Sequence, residues 1–355
     1  MKFIHCSDIH LDSKMERNLS PAQARERNAE VCATFARMVD FACREGVRAV
    51  LIAGDLFDTR RASAQTAGYI LDLIRGAEQV DFLYLRGNHD EADRIFENLE
   101  LPGNFKTFGP QWTSYRYENV VISGIEPENW MTFYDSLTLD EAAVNIVMLH
   151  GQADTRPGEE LIALPAFRSK NIRYLALGHL HSYQLERLDE DGVYCYCGCL
   201  EGRGFDECGE KGFVLLETGE QDVRSAFVPF AGRLLHEIRV DITGLQTVSQ
   251  ILEAVRGAGS EIPEKDLVKF TLTGGFTPET QKDLTFLRKM LESRYYFVKF
   301  KDETALQISK EDYEHDASLK GEFVRLVMAS SHTREEKERM TLWGIRALSG
   351  EEVGQ

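Results

Sequence analysis

The chain has 355 residues, and its 41 Lys and Arg against 58 Asp and Glu leave a net charge of −17. That balance excludes binding nucleic acid through bulk positive charge, while leaving room for a small local site for a phosphate. Apolar runs such as Ala49–Ala53 fall far short of the roughly 20 residues that span a bilayer, and 43% apolar content over this length suggests about two folded domains.

Lys2–Ser7 is predicted as a strand, and Ser20-Pro21 then supplies an N-cap and a first-turn proline. The helix that follows carries Val31, Phe35, Met38, Val39 and Ala42 at helical spacing and stops at Gly46. Val47–Ala53 is a continuous apolar strand and Ala64–Arg75 a second helix. Further strands are predicted at Phe82–Leu85, Val120–Ser123, Val144–Leu149, Tyr174–Leu177, Gly212–Leu216 and Ala226–Phe230, with a hairpin turn at Asp191-Gly192. Helices alternating with strands, then strands alone, imply an α/β sandwich of two sheets up to about residue 230.

A smaller α/β unit should follow, with strands at Leu235–Ile242, Leu267–Leu272 and Tyr295–Phe300 and helices at Val248–Arg256 and Pro278–Arg294. Beyond the acidic run Glu311–Asp316 lies a helical tail with two apolar clusters around Phe323–Met328 and Leu342–Leu348. The seven scattered cysteines suggest reduced thiols, and Met1–Asp8 lacks the apolar core of a signal peptide, so a cytoplasmic protein is expected. No P-loop motif is present.

Five short motifs fall in order, each just after a predicted strand: Asp8-Ile9-His10, Gly54-Asp55-Leu56-Phe57-Asp58, Gly87-Asn88-His89-Asp90, His150-Gly151 and Gly178-His179-Leu180-His181. Ligand sites in open α/β sheets form beyond the carboxyl ends of strands, so the five loops can converge on one rim. Five of the nine histidines lie in these motifs, which packing alone does not explain. Taken singly, each motif reads equally well as a turn. Taken together they offer carboxylate, imidazole and amide oxygen in a number suited to two metal ions. Such mixed ligation favours Mn²⁺, Fe²⁺ or Zn²⁺ over all-oxygen Mg²⁺.

This series resembles the calcineurin-like metallophosphoesterase superfamily, through about residue 230. Within it, the opening Phe3–Asp12 segment, the Gly54–Asp58 block and the Lys211-Gly212-Phe213 strand resemble the SbcD-like DNA-repair exonucleases, and the overall size is similar to the YhaO type. The resemblance implies an α/β/β/α sandwich over 1–234 as the nuclease domain, an α/β capping domain over 235–316, and a helical tail over 317–355. It implies one metal held by Asp8, His10, Asp55 and His181 and another by Asp55, Asn88, His150 and His179, with Mn²⁺ as the ion. His89, beside a ligand without being one, becomes the candidate general acid, with Asp58 holding its ring.

The implied activity is two-metal cleavage of DNA as a 3′–5′ exonuclease with some endonuclease activity, in partnership with an SbcC-like coiled-coil ATPase docked on the tail. A phosphoesterase for nucleotides or small esters and a non-catalytic metal-binding scaffold are the alternative readings. Two dications would outweigh Asp8 and Asp55 where a phosphate arrives, so the overall acidity bears on affinity, and firm DNA engagement would need an ATPase partner or a homodimer to add basic surface.

Lys14, Arg17, Arg60, Arg61, Arg86 and Arg203 lie on or near the motif loops, and of these Arg60, Arg61 and Arg86 are the candidate DNA contacts, with solvated charge as the alternative. Trp130 and Tyr134 read as loop packing, with base stacking the alternative. Cys195, Cys197 and Cys199 have C-x-C-x-C spacing, which places thiols on one face of a strand and is unlike structural zinc pairs.

Overall fold

A computed structural model of the chain describes residues 1–15, 19–58, 63–90, 95–96, 99–307 and 313–348. Its contacts divide it into two compact units, Met1–Leu234 and Leu235–Gln355.

In the first unit the strands are β1 (Lys2–Cys6), β2 (Val47–Ala53), β3 (Asp81–Leu85), β4 (Phe105–Thr107), β5 (Thr113–Tyr117), β6 (Val120–Gly124) and β7 (Val144–His150). They continue with β8 (Gln152–Asp154), β9 (Leu161–Ala163), β10 (Ile172–Gly178), β11 (Gln184–Arg187), β12 (Val193–Tyr196), β13 (Gly212–Thr218) and β14 (Val223–Pro229). One six-stranded sheet runs β14-β13-β1-β2-β3-β4, and a second runs β11-β12-β10-β7-β6-β5. The centre of each sheet is parallel: β1, β2, β3 and β4 in the first, and β6, β7, β10 and β12 in the second.

The two sheets face each other across one core. Phe3, Leu51 and Leu83 of the first sheet meet Ile122, Ile146, Met148 and Tyr174 of the second, all buried. Helix α1 (Pro21–Arg44) packs outside β2 and beside α2 (Ala64–Gly76). It starts with a capping box, in which Ser20 accepts from the Gln23 N–H while the Gln23 side chain reaches back to the Ser20 N–H. The outer face of the second sheet is covered by Phe133, Tyr134 and Phe167, carried on two single 3₁₀ turns at Phe133–Ser136 and Leu164–Phe167. The chain therefore builds the layered α/β sandwich, with short turns and loops forming the fourth layer.

Strands β5 and β11 escape sequence reading because most of their side chains are polar or exposed; their place is set by pairing with β6 and β12. The hairpin turn at Asp191-Gly192 joins β11 to β12, with the Leu188 N–H donating to the Gly192 carbonyl. Of the three clustered thiols only Cys195 sits on a strand, because β12 ends at Tyr196. Cys197 and Cys199 lie on the buried segment beyond it, where Cys197 Sγ contacts Ser7 Oγ at 3.1 Å.

The second unit holds β15 (Leu235–Asp241), α3 (Val248–Ala258), β16 (Leu267–Thr273), β17 (Gly275–Phe276), α4 (Leu284–Leu291), β18 (Phe297–Asp302) and β19 (Ala305–Leu306). Strands β15, β16 and β18 form a parallel sheet, covered by Ile251, Val255, Leu287 and Leu291 from the helices. Helices α5 (Leu319–Ala329) and α6 (Arg334–Leu348) pack on each other, and Leu342 of α6 joins the core of this unit.

The helix expected over 278–294 is shorter. The Asp283 carboxylate accepts from the Phe286 N–H and starts the helix at Leu284, while Thr277–Thr280 closes a separate turn after β17. A side-chain cap competes with helix propagation through the preceding residues. Asp283→Ala is expected to destabilise the second unit by about 1 kcal/mol, the usual cost of a lost N-cap, read as a lower urea midpoint for the transition of that unit.

Candidate metal centre

The carboxyl ends of β1, β2, β3, β7 and β10 deliver the five motif loops to one edge of the sandwich. The loop after β1 runs beside the loop after β2, tied by Asp8 N–H to Gly54 O at 3.0 Å, His10 N–H to Asp55 O at 2.9 Å and Asp58 N–H to Leu11 O at 3.0 Å. This extension of the sheet pairing forces Asp8, His10 and Asp55 into the left-handed region, with φ of 51°, 48° and 52°. Non-glycine residues rarely adopt that conformation, and such strain persists only where the surroundings hold it.

The side chains then converge. Asp55 Oδ2 lies 3.6 Å from His10 Nε2 and 3.5 Å from His150 Nε2, between two imidazoles. On one side of it, His10 Nε2 is 3.3 Å from His181 Nε2, which is 3.6 Å from Asp8 Oδ1. On the other, His150 Nε2 is 3.1 Å from Asn88 Oδ1. Ligand atoms of Asp8, His10 and His181 form one group within 4.8 Å, and those of Asp8, Asp55 and His150 another. His179 stands beside the second group, its ring 5.5 Å from that of His150, while its N–H donates to both oxygens of Asp8.

The surroundings leave no room to spare. A Cβ on Gly54 would come within 2.0 Å of His150 Nδ1, and one on Gly87 within 2.1 Å of Asp55 Oδ1. His150 Nδ1 faces the Ala53 carbonyl at 2.9 Å and so must carry the proton, which leaves the Nε2 lone pair pointing into the site. Burial pushes the Asp8 carboxyl up, and the Asp55 charge pushes it further. Burial likewise pushes His10 far down, toward the neutral form that metal ligation requires. Its Nδ1 is buried without a hydrogen-bond partner among the described residues. Buried carboxylates facing imidazole nitrogens fit two divalent cations, and the nitrogen and oxygen donors suit Mn²⁺, Fe²⁺ or Zn²⁺.

The calcineurin-like phosphoesterase family model matches residues 1–183. The chain belongs to that family. Calcineurin-like phosphoesterases use a dinuclear metal site, the arrangement for which these two groups of donors are suited. This family member is 27% identical over 286 residues to the metallophosphoesterase YhaO of Bacillus subtilis, covering 75% of this chain and 69% of that protein. It is 25% identical over 269 residues to the DNA double-strand break repair protein Mre11 of Aeropyrum pernix, covering 68% of this chain and 64% of the relative. It thus spans about two thirds of the length of each. The crystal structure of TT1561 of Thermus thermophilus aligns with a TM-score of 0.42 at 13% identity, over 64% of this chain and 98% of that one.

His89 is exposed at the rim; its N–H donates to Asp55 Oδ1 at 2.9 Å and its ring lies 5.1 Å from that of His10. Asp58 is half-buried at the end of its motif. Arg86 is held by Glu126, with Nε at 2.6 Å from the carboxylate and its backbone N–H at 2.8 Å. Arg60 and Arg61, like Arg17, lie outside the described residues. Tyr134 is buried, where its hydroxyl donates to the Leu161 carbonyl and accepts from the Ala163 N–H.

Sequence reasoning missed Glu207 and the way Arg203 is used. The buried Glu207 carboxylate lies 2.8 Å from His181 Nδ1, so it holds the proton there and turns Nε2 toward Asp8 and His10. Arg203 clamps the same carboxylate, with a terminal nitrogen at 2.7 Å and its backbone N–H at 2.7 Å. Burial opposes the charge on Glu207, but the His181 hydrogen bond and the Arg203 guanidinium outweigh it and hold its carboxyl well below the usual range. The same hydrogen bond, together with the Asp8 charge, overcomes burial and raises His181. Asp90 is a second such residue. It accepts from the Leu56, Phe57 and Gly87 N–H groups and locks the third motif loop to the second, with burial and the Asp55 charge pushing it up to about 6. No spacing rule flags Glu207, because it follows the last motif by 26 residues from His181. Glu207→Gln is expected to lower Mn²⁺ affinity about 10- to 100-fold, the usual loss when a carboxylate behind a ligating histidine is removed, as read by calorimetric metal titration with circular dichroism confirming the fold.

Proposed function

We propose that the chain is a two-metal phosphodiesterase that cleaves DNA, acting as a 3′–5′ exonuclease with some endonuclease activity. The observation that carries this reading is the position of Asp55 Oδ2 between His10 Nε2 and His150 Nε2, at 3.6 and 3.5 Å, as a shared ligand requires. Asp8, His10, Asp55 and His181 would hold one ion and Asp55, Asn88, His150 and His179 the other, with Mn²⁺ as the metal. When bound, the two dications supply a clamp for the phosphate and acidify the attacking water. The DNA substrate is supported by the likeness to the DNA double-strand break repair protein Mre11 of Aeropyrum pernix.

The protein's own residues supply the rest. Exposed at the rim and next to His10, His89 can reach a leaving oxygen and give it a proton. Asp58 is assigned to accept from its ring and keep it charged. Arg60, Arg61 and Arg86 are assigned to the DNA backbone, where Arg86 would have to exchange its Glu126 partner for a phosphate. Glu207 and Asp90 keep the ligand-bearing loops in place. His89→Ala should retain two Mn²⁺ per chain by metal analysis and lose about 10²- to 10⁴-fold in digestion of end-labelled duplex DNA. Wild-type turnover in that metal-replete variant would remove His89 from the role, and less than one Mn²⁺ per wild-type chain would favour a non-catalytic scaffold.

The tail is assigned to docking an SbcC-like coiled-coil ATPase. Leu319 and Leu326 lie seven residues apart on α5, on one face, and are 70% and 63% exposed, and Trp343 of α6 is 49% exposed. Replacing Leu319 and Leu326 together by Glu should abolish co-purification with the ATPase while leaving metal content unchanged; full co-purification would place the dock elsewhere.

A further inference from the structure

On the Asn88 and His150 side, the centre opens into a cleft of about 340 Å³, and of its charged and aromatic lining the chemistry above uses only Arg86, Asp90 and His150. This volume lies at the small end of the roughly 300–1,000 Å³ range of ligand pockets. Glu126, Glu128, Glu159 and Glu160 line it together with Trp130. Arg86, the one Lys or Arg lining it among the described residues, is engaged by Glu126 at 2.6 Å. Glu128, Glu159 and Glu160 form no ion pair among the described residues. The indole of Trp130 packs edge-on to Phe133 and sits against Gly151, the residue after His150; a Cβ there would come within 3.3 Å of the ring.

These walls restrict what can extend from a phosphate seated on the centre. A second phosphate would meet three carboxylates without an ion-pair partner against a single guanidinium already engaged by Glu126, and releasing Arg86 to it would only free a fourth carboxylate, so it is repelled. A flat group gains from the indole, and N–H donors gain from the carboxylates. A nucleobase with an amino group on its pairing edge meets all three conditions. We propose that this cleft seats the base of the terminal nucleotide and favours guanine most strongly. Guanine offers adjacent N1–H and 2-amino donors to one carboxylate, whereas thymine offers a single N–H between two carbonyls that the carboxylates repel. The inference rests on the phosphodiesterase reading and specifies its substrate: the end of a strand presented one base at a time, with no further phosphate beyond that base.

Isothermal titration of the Mn²⁺-loaded full chain with dGMP, dTMP and inorganic phosphate tests this without relying on turnover. The expected result is dGMP binding at least tenfold tighter than dTMP, and dTMP no more than a few-fold tighter than inorganic phosphate. Trp130→Ala should weaken dGMP about tenfold, the loss expected for one stacked base, and leave inorganic phosphate unchanged, while Trp130→Phe keeps most of the affinity. Glu128→Gln and Glu160→Gln should narrow the ratio between dGMP and dTMP. Equal affinities for all three probes would overturn the base site, as would Trp130→Ala binding dGMP like the wild type. Failure to digest DNA alongside retained dGMP selectivity would instead strike the DNA-nuclease reading and leave the base site standing.

Discussion

The structure of the first unit depends on holding two carboxylates, Asp8 and Asp55, side by side and out of water. Both are buried, and the charge of one raises the pKa of the other. Like charges in a buried site are costly unless cations or hydrogen bonds compensate them. Much of the detail around them serves that purpose. Ser7 and the His179 N–H donate to Asp8, the His89 N–H donates to Asp55, and imidazole nitrogens face both.

The two-sheet sandwich explains how that place is made. Parallel strands end on the same side, and the carboxyl ends of β1, β2 and β3 in one sheet meet those of β7 and β10 in the other. The loops after β1 and β2 continue to hydrogen-bond to each other beyond the strands, which throws Asp8, His10 and Asp55 into left-handed backbone. Residues behind the candidate ligands hold the loops in place: Asp90 ties the third loop to the second, and Glu207 with Arg203 fixes His181. Ligand, strain and support form one unit, so a change in the supporting residues reaches the chemistry through geometry.

Charge acts on two scales in this molecule. The net −17 keeps the chain from clinging to polyanions through its general surface. Next to the centre the same sign is local: the Glu-lined cleft accepts an uncharged, nitrogen-rich group beside a phosphate and turns away a second phosphate. The proposed action on a nucleic-acid end is compatible with this acidity, provided that metal ions attract the phosphate and a partner or second copy supplies grip along the strand.

How much of this was legible from sequence follows from the range of the interactions involved. Continuous apolar runs located the inner strands, such as Val47–Ala53 and, one residue short of its observed end at His150, Val144–Leu149, because burial on both faces leaves a continuous apolar signal. The motifs named Asp8, His10, Asp55, Asn88, His150 and His181, which the fold brings together because parallel strands end on the same side and each of these residues ends or follows one. Local pattern also overran: the helix expected from Pro278 begins at Leu284, where the Asp283 cap intervenes. The exposed strand Gln184–Arg187 carried no apolar signal and exists because β12 pairs with it. Glu207 carried no signal and the supporting role of Asp90 was hidden, since they act on His181 and on the Leu56 and Phe57 N–H groups, 26 and 33 to 34 residues away; Arg203 was legible only as a cation near the motif loops, and Trp130 only as packing with base stacking as the alternative. The sequence by itself determined which donor atoms are available and that they follow strands. Only the tertiary structure decided which nitrogen of each imidazole faces inward and what stands behind it, because those choices are made by hydrogen bonds and close packing between segments that no local pattern connects.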